Sequence, residues 1–514
     1  MRLRPFRQAL PWALLALAPA CQEQEEGHAP QVQLVTTTCA GVPPLENASR
    51  LLWRITGEGI EAPLEHVTLV DLRPEDVPVV PPGRARVLEV RAYTGEPPAS
   101  GQVVSMGRSA PFEMPAEGGP SEPVRVVLRR VETWVPVEDA QRPGECLQLT
   151  EPRAAHTATL LKDGRVLLAG GFRMDGAGNA ETLSSFEVLD PGARTLTHLP
   201  SQDEGLTRRA FHTATLTPEG EVVLAGGEVS IAGVTVPLRT AAVWDPDALG
   251  LYGFELAWAR SRHGAASDSA GRILLAGGVG EGSVPVPELE GLEPQALRTF
   301  SVPLLLPRVG ASVTALPDGQ RVAVIGGSDG QELAAEVLTF TYDGATFAPS
   351  SPGVKLRYPR RNAAVAPFGG QRLLVVGGYG SPADPVFTGD ALPVSEVIDW
   401  GSPAPRVSDG PSLVARGDAC AESLPGGRVF VAGGRRQEPA NFRVVSSALV
   451  EQVIPTVSET SAVLGQEPLV SALYLHTCTV LPDGAVLVTG GLDDSQGGPQ
   501  VSGGAYVFVP LPRD

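Results

Sequence analysis

Lysine is nearly missing from this chain: Lys162 and Lys355 are the only two among 514 residues, and the other basic side chains are arginines. That bias fits a GC-rich genome and carries no functional message. There is no run of basic residues, and the net charge is −18, so no nucleic-acid partner is expected. Histidine is scarce, at seven, and no zinc-type spacing, phosphate-binding loop or Ser–His–Asp order stands out. No stretch carries a convincing amphipathic helical period. The longest N-terminal apolar run, Ala9–Ala20, falls short of the roughly 20 residues a membrane-crossing helix needs. Charged residues make up only 19%, against 59 glycines and 49 prolines. This is the composition of a turn-rich all-β protein.

What is present is repetition. Seven segments read alike, from HTATLLKDGRVLLAGG through HTATLTPEGEVVLAGG to HTCTVLPDGAVLVTGG. Each ends in a glycine pair whose first members are Gly170, Gly226, Gly277, Gly326, Gly377, Gly433 and Gly490. The intervals are 56, 51, 49, 51, 56 and 57 residues. A repeat of about 50 residues, built as strand, tight turn, strand and Gly-Gly, resembles the kelch motif of β-propellers. The resemblance covers residues 146–514 and implies an all-β, seven-bladed kelch-type β-propeller. In the first repeat the expected strands are His156–Leu161, Arg165–Ala169, Ser185–Leu189 and Thr195–Leu199. The last repeat lacks a fourth strand after Ala505–Val509. Cys146–Thr150, followed by Glu-Pro-Arg-Ala-Ala-His, matches the passage from strand four to strand one, so 146–150 is expected to complete the seventh blade. Closing a ring in this way removes two open sheet edges.

The first residues read as a secretory signal: Arg2, Arg4 and Arg7, then the apolar run, then Cys21. Leu17-Ala18-Pro19-Ala20-Cys21 resembles a bacterial lipobox, although Ala18 stands where leucine is usual. The resemblance implies a lipoprotein signal peptide over 1–21, lipid attachment at Cys21 and a polar tether over 22–32. Gln22 rather than Asp matches the outer-membrane sorting pattern; a secreted soluble protein is the alternative. Acyl chains anchor at about 0.8 kcal/mol per buried CH₂, and the membrane is met through that anchor only. Residues 33–135 alternate apolar and polar between Pro/Gly-rich breaks, as in Leu51–Ile55 and Val87–Tyr93. They are expected to form an immunoglobulin-like or transthyretin-like β-sandwich with Trp53, and Trp134 beside it, in the core.

With Cys21 lipidated, four cysteines remain and three pairings exist. Cys420 and Cys478 fall at adjacent positions of the first strand in neighbouring repeats. Adjacent positions face opposite sides of a sheet, so the two thiols either meet across the blades or both turn away. A Cys420–Cys478 bond would leave Cys39 and Cys146 to tie sandwich to propeller; free buried thiols are the other reading.

Two columns carry candidate chemistry. His156, His212, His263 and His476 open the first strand, with Ala311, Ala363 and Ala419 in the other repeats. Three residues earlier stand Arg153, Arg209, Arg260, Arg308, Arg360 and Arg416. On the face of the 4–1 and 2–3 connections they are expected around the channel mouth. There they either form a cationic ring for an anionic ligand or staple their own blades through acids such as Glu187, Glu336 and Glu396. Sixfold repetition favours stapling. Galactose oxidase has this type of repeat and holds copper through two His and two Tyr. Tyr474-Leu475-His476 is distantly similar, but the C-terminal histidine ligand is missing, so no copper and no other cofactor is expected. Asp493-Asp494 reads as a solvated turn. The long 2–3 connections Phe172–Leu183, Glu228–Arg239, Tyr379–Pro393 and Leu492–Gly503 vary, and loops on a rigid scaffold are where binding resides. The resulting expectation is an exported, monomeric, non-enzymatic binding or scaffolding module for a protein or glycan on that face. The alternative is a carbohydrate-active enzyme, an epimerase, lyase or oxidase, using the channel mouth.

Overall fold

The computed structural model describes residues 27–71, 73, 76–97, 102–231, 233–382, 391–401, 404–437, 444–455, 462–495 and 498–511. The signal segment, Cys21 and the tether up to residue 26 lie outside them. The described residues are almost all strand and turn, and none of their helices is long and apolar enough to cross a membrane.

Seven four-stranded antiparallel sheets account for the repeats. In sheet one the strands are Thr157–Leu160, Val166–Ala169, Phe186–Asp190 and Thr195–Leu199, paired in that order. The first strands of the other sheets are Thr213–Leu216, Gly264–Ser267, Ser312–Ala315, Ala364–Pro367, Cys420–Ser423 and Thr477–Val480. They neighbour one another in a closed circuit, with Thr477–Val480 returning to Thr157–Leu160. The architecture is a β-propeller. Each second strand is built on a four-residue apolar run, such as Val166–Ala169 or Val429–Ala432, that is fully buried. Both its faces are covered by neighbouring sheets, so alternation gives way to continuous hydrophobicity. A fully buried Val or Leu side chain stabilises by about 1.5–3 kcal/mol.

The glycine pairs explain themselves at the joints between sheets. Gly171 N–H donates to the Arg209 carbonyl (2.8 Å) in the next sheet, and the same bond recurs round the ring to Gly491, which donates to Arg153 (2.9 Å). A Cβ on the preceding glycine, Gly170 or Gly490, would overlap that same carbonyl. Both glycines have positive φ, so the pair serves close approach and left-handed geometry together.

The closing strand is not the expected one. Trp134–Pro136 pairs with Ala505–Phe508 as the fourth strand of sheet seven, in the register Phe508↔Trp134 and Tyr506↔Pro136. Residues 146–150 instead come back beside it: Leu147 N–H donates to Val137 O (2.7 Å) and Leu149 N–H to Gly503 O (2.8 Å). The alternating Leu147 and Leu149 are buried, which is why their pattern reads as strand. Trp134 wins the ladder position because its indole packs on Phe508 (5.2 Å between ring centres) and Phe430 (6.1 Å). It also donates to Glu467 O (2.9 Å). Trp134 therefore belongs to the joint between sheets six and seven, not to the N-terminal core.

Ahead of the ring, Arg50–Thr56 sits between Leu64–Leu69 and Gly83–Tyr93, with Val103–Arg108 and Arg129–Arg130 beyond. Val32–Val35 and Val124–Val127 form a separate parallel pair. Trp53 is fully buried among Leu51, Leu88, Val90 and Val126, and its indole donates to Thr68 Oγ1 (2.9 Å). This unit docks beneath sheets seven and one: Arg129 reaches Asp483 (3.2 Å) and Pro191 O (2.8 Å), both in turns on the far side from the 2–3 connections. Cys39 is bonded to Cys146 and Cys420 to Cys478.

Candidate functional site

The six column arginines do not ring the mouth. Arg153, Arg209, Arg260, Arg360 and Arg416 are buried, at 0–1% exposure, and their guanidinium groups point into their own sheets. Each donates to the carbonyl of its sheet's first paired glycine, as Arg209 does to Gly226 (2.7 Å) and Arg360 to Gly377 (2.8 Å). Four of the five also pair with a third-strand glutamate: Arg153 with Glu187, Arg260 with Glu290 (3.5 Å), Arg360 with Glu396 (2.5 Å) and Arg416 with Glu451. Arg209 has no such partner. It is held by Leu206 O (2.6 Å) and Thr240 Oγ1 (3.3 Å), and burial pulls its pKa down to about 10, still charged at neutral pH. Arg308 is the looser member, 3.3 Å from a Glu336 that is 43% exposed. The arginines lie behind the mouth as a frame.

The histidine column is likewise internal. His212 Nε2 lies 2.9 Å from Thr157 Oγ1 and His263 Nε2 3.1 Å from Thr213 Oγ1, each reaching to the preceding sheet. Burial pushes His156, His212 and His263 well below the usual imidazole range, assisted by Arg153, Arg209 and Arg260. His476 falls to about 4, mainly by burial. All four are neutral in the fold.

The mouth is built by the residue between these columns, which the sequence reading passed over. Ala155, Phe211, Arg262, Gly310, Asn362, Asp418 and Leu475 stand two residues after the arginine position, one per sheet. All seven are left-handed, with φ of 51°, 53°, 56°, 68°, 52°, 54° and 53°. Six are not glycine, and a left-handed L-residue costs about 1–2 kcal/mol. Backbone bonds between sheets hold the conformation. Ala155 N–H donates to Leu475 O (2.9 Å), Phe211 to Ala155 (3.0 Å), Arg262 to Phe211 (3.0 Å), Asn362 to Gly310 (2.7 Å) and Asp418 to Asn362 (3.2 Å). Seven different side chains thus stand on one repeated backbone. Repeated left-handed non-glycine residues at one column are invisible in composition; the only signal is a position that changes in every copy.

Above this ring opens a cavity of about 640 Å³, bordered by every ring residue except Ala155. A pocket of a few hundred Å³ suits a small molecule or the end of a chain. Its two sides differ. Leu475 and Phe211, with Ala155 packed beneath them, make the side over sheets seven, one and two apolar. The 2–3 connections of sheets one and seven raise ribbons there, Phe172–Met174 with Ala180–Thr182 and Leu492–Asp493 with Gln500–Val501. They bring Phe172 against Phe211 (5.9 Å) and Leu492 beside Tyr474. Arg262, Gly310, Asn362 and Asp418 form the polar arc. Asn362 Nδ2 donates to Asp418 Oδ1 (2.6 Å), and Tyr379 Oη donates to Asp418 Oδ2 (2.9 Å). Burial, then Asp418 itself, holds the Tyr379 hydroxyl protonated far above the usual phenol range. Asn362 Oδ1 is buried and has no hydrogen-bond partner.

The charges at the rim are matched. Arg262 pairs with Glu228 (2.8 Å) and lies 3.6 Å over the Phe211 ring. Arg435 pairs with Asp494 (3.2 Å) and lies 4.4 Å over Tyr474. Asp494 also accepts from Ser446 N–H (2.7 Å). It is a tie between the ribbons of sheets six and seven rather than a solvated turn. Among the cavity's lining residues, Arg262 and Arg435 balance Glu228 and Asp418.

No known family profile matches the sequence, and no curated protein matches it. Solved structures do. A fungal alcohol oxidase, described as showing catalytic diversity among the AA5 family and in complex with copper, superposes with a TM-score of 0.53 at 16% identity. That match covers 71% of this chain and 75% of the oxidase. The structure of YjhT superposes with a TM-score of 0.45 at 12% identity, covering 70% of this chain and 96% of its own. The first likeness establishes the propeller-type fold and nothing of the chemistry. A copper set of two histidines and two tyrosines does not fit the residues here. Tyr379 is engaged by Asp418, and His156, His212 and His263 by threonine hydroxyls.

Proposed function

We propose that this chain is an exported, lipid-anchored surface protein whose seven-bladed kelch-type propeller, carried on a small immunoglobulin-like or transthyretin-like sandwich, binds a neutral glycan in its mouth without transforming it. The observation that carries the reading is the ring: one backbone conformation presenting an apolar arc opposite a polar arc. Sugars offer apolar C–H faces and hydroxyls that both donate and accept. The Asp418 carboxylate and the unpaired Asn362 Oδ1 are acceptors for such hydroxyls, while Leu475, Phe172 and Leu492 supply the apolar wall. Matched rim charges argue against an acidic glycan. The N-terminal unit docks on the opposite side, leaving the mouth open on the face turned away from it. Anchoring rests on the pattern around Cys21.

The purified protein should bind neutral oligosaccharides on a glycan array, and calorimetry should give one site that an Asp418→Ala variant loses. Binding confined to acidic glycans or to peptides, or unchanged by Asp418→Ala, would remove the proposal. Release of a modified sugar during incubation would turn it into the carbohydrate-active enzyme. For the anchor, Cys21→Ala should free the protein from membranes; an unmodified N-terminus near Gln22 in the native protein would count against lipidation.

A further inference from the structure

One member of the histidine column breaks its own pattern. His212, His263 and His156 each reach a threonine at the start of the preceding sheet's inner strand: Thr157 (2.9 Å), Thr213 (3.1 Å) and Thr477 (3.2 Å). The same step from His476 leads to Cys420, where there is no hydroxyl. His476 is 9% exposed, and no side-chain hydroxyl meets either ring nitrogen; the one hydrogen-bonding influence on the ring is the backbone at Ala432, which opposes the effect of burial. Cys478 completes a cluster in which one ligand atom each from Cys420, His476 and Cys478 lies within 4.8 Å of the others. All three border a second cavity of about 380 Å³ in the channel beneath the mouth.

We propose that these three side chains, with the Cys420–Cys478 bond reduced, form a zinc(II) site whose fourth position opens to the channel. Two thiolates and an imidazole are a preferred donor set for this ion, and a three-protein-ligand site leaves room for water. With Zn–S near 2.3 Å, ligand atoms on a tetrahedral zinc stand about 3.5–3.8 Å apart, a spacing that side-chain rotation from the present cluster reaches. The step balances. A dithiol reductant gives two electrons and two protons, its own sulfurs closing to a disulfide as the Cys420–Cys478 bond breaks. Zinc binding then expels both thiol protons to solvent. The joint between sheets six and seven would thus be covalent in an oxidising setting and coordinated in a reducing one.

The full-length protein, reduced with a dithiol and freed of it without air, is titrated with cobalt(II) as a spectroscopic substitute. One equivalent should produce thiolate charge-transfer and tetrahedral ligand-field bands, and one equivalent of zinc should abolish them. The Cys39→Ser/Cys146→Ser double variant should behave the same. The oxidised protein and a Cys420→Ser/Cys478→Ser variant should give no bands. His476→Ala should weaken binding by more than the roughly ten- to hundredfold that loss of a mere outer-shell partner costs. If reduction alone unfolds the ring, zinc added during reduction should restore the melting temperature. Failure of that rescue, absence of tetrahedral bands in a folded reduced protein, or full binding by Cys420→Ser/Cys478→Ser would each overturn the site.

Discussion

Two positions in every repeat, two residues apart, are treated in opposite ways. The first is arginine in sheets one to six and Leu473 in sheet seven. The second is Ala155, Phe211, Arg262, Gly310, Asn362, Asp418 and Leu475, never the same residue twice. The arginine is sunk into its sheet and bonded to the glycine-pair carbonyl in five sheets, with a buried glutamate as well in four of them. The neighbour two places on is fixed in its left-handed conformation by backbone bonds between sheets, and in every sheet but the first its residue borders the cavity. The difference teaches where chemistry can vary in a repeat fold. A position held by main-chain bonds is free to change from copy to copy, whereas one held by side-chain bonds keeps arginine in six copies of seven.

The strongest way to break the comparison is to truncate the frame. Arg360→Ala strands Glu396 in a fully buried site and should cost about 3–5 kcal/mol. Arg308→Ala, beside the half-exposed Glu336, should cost under about 1 kcal/mol. Denaturant unfolding measures both, and equal losses would erase the distinction between frame and periphery. Acid probes the same frame. The four column histidines are neutral when folded but take up protons below about pH 6.5 when unfolded, so their contribution is whole above that pH and lost as pH falls. Glu422 runs the other way: burial raises it to about 7, so the folded state holds a proton that the unfolded state releases above the ordinary carboxylate range. Glu290, also raised by burial, acts the same way as Glu422, but near pH 5 the four histidines outnumber the two glutamates, so stability falls as pH falls. His212→Asn should make that slope shallower, and an unchanged acid-unfolding curve would show the histidines already charged.

The ring should answer differently. Asp418→Asn keeps the size of the side chain and removes the charge that Tyr379 and Asn362 bond. Glycan affinity should fall about ten- to a hundredfold, or roughly 1.4–2.8 kcal/mol, with little change in melting temperature. A large stability loss with intact binding would make Asp418 a frame residue. The smallest effect is the most specific. Ala155→Gly should stabilise by about 0.5–1 kcal/mol, since glycine relieves the left-handed backbone and gives back part of the gain in unfolded-state entropy. Because Ala155 packs beneath the mouth with Phe172 and Leu492, binding should be unaffected.

Much of this was open to reading in the chain. The glycine pairs announce the propeller because close approach of neighbouring sheets admits no side chain there. Recurrent Arg and Glu announce the staples because a buried cation needs a fixed partner. The ring was not open to reading, because residues held by their backbone leave no shared side chain to recognise. The closing strand was misplaced for a related reason. Leu147 and Leu149 alternate as a strand does, but what decides the pairing is the fit of Trp134 against Phe508 and Phe430, a contact across most of the chain. The 2–3 connections read as loops, yet those of sheets one, two, six and seven include paired ribbons, since their hydrogen bonds must be met as they rise over the mouth.

The strand Trp134–Pro136 has a consequence for the order of events in synthesis. It leaves the ribosome before the other strands of the seven sheets, yet its ladder partner, Ala505–Phe508, is the last of them. Until then it is an unsatisfied edge, and the joint it makes is about as non-local as this chain allows, which slows pairing. Cys39 and Cys146 both lie on the early side, so their bond can confine the waiting strand long before its partner exists. The seam also falls inside a sheet rather than between two. To open the ring there, a fluctuation must break ladder bonds and pull the Trp134 indole out of its cluster with Phe430 and Phe508 at once, and for that reason the last joint to form is poorly suited to be the first to fail.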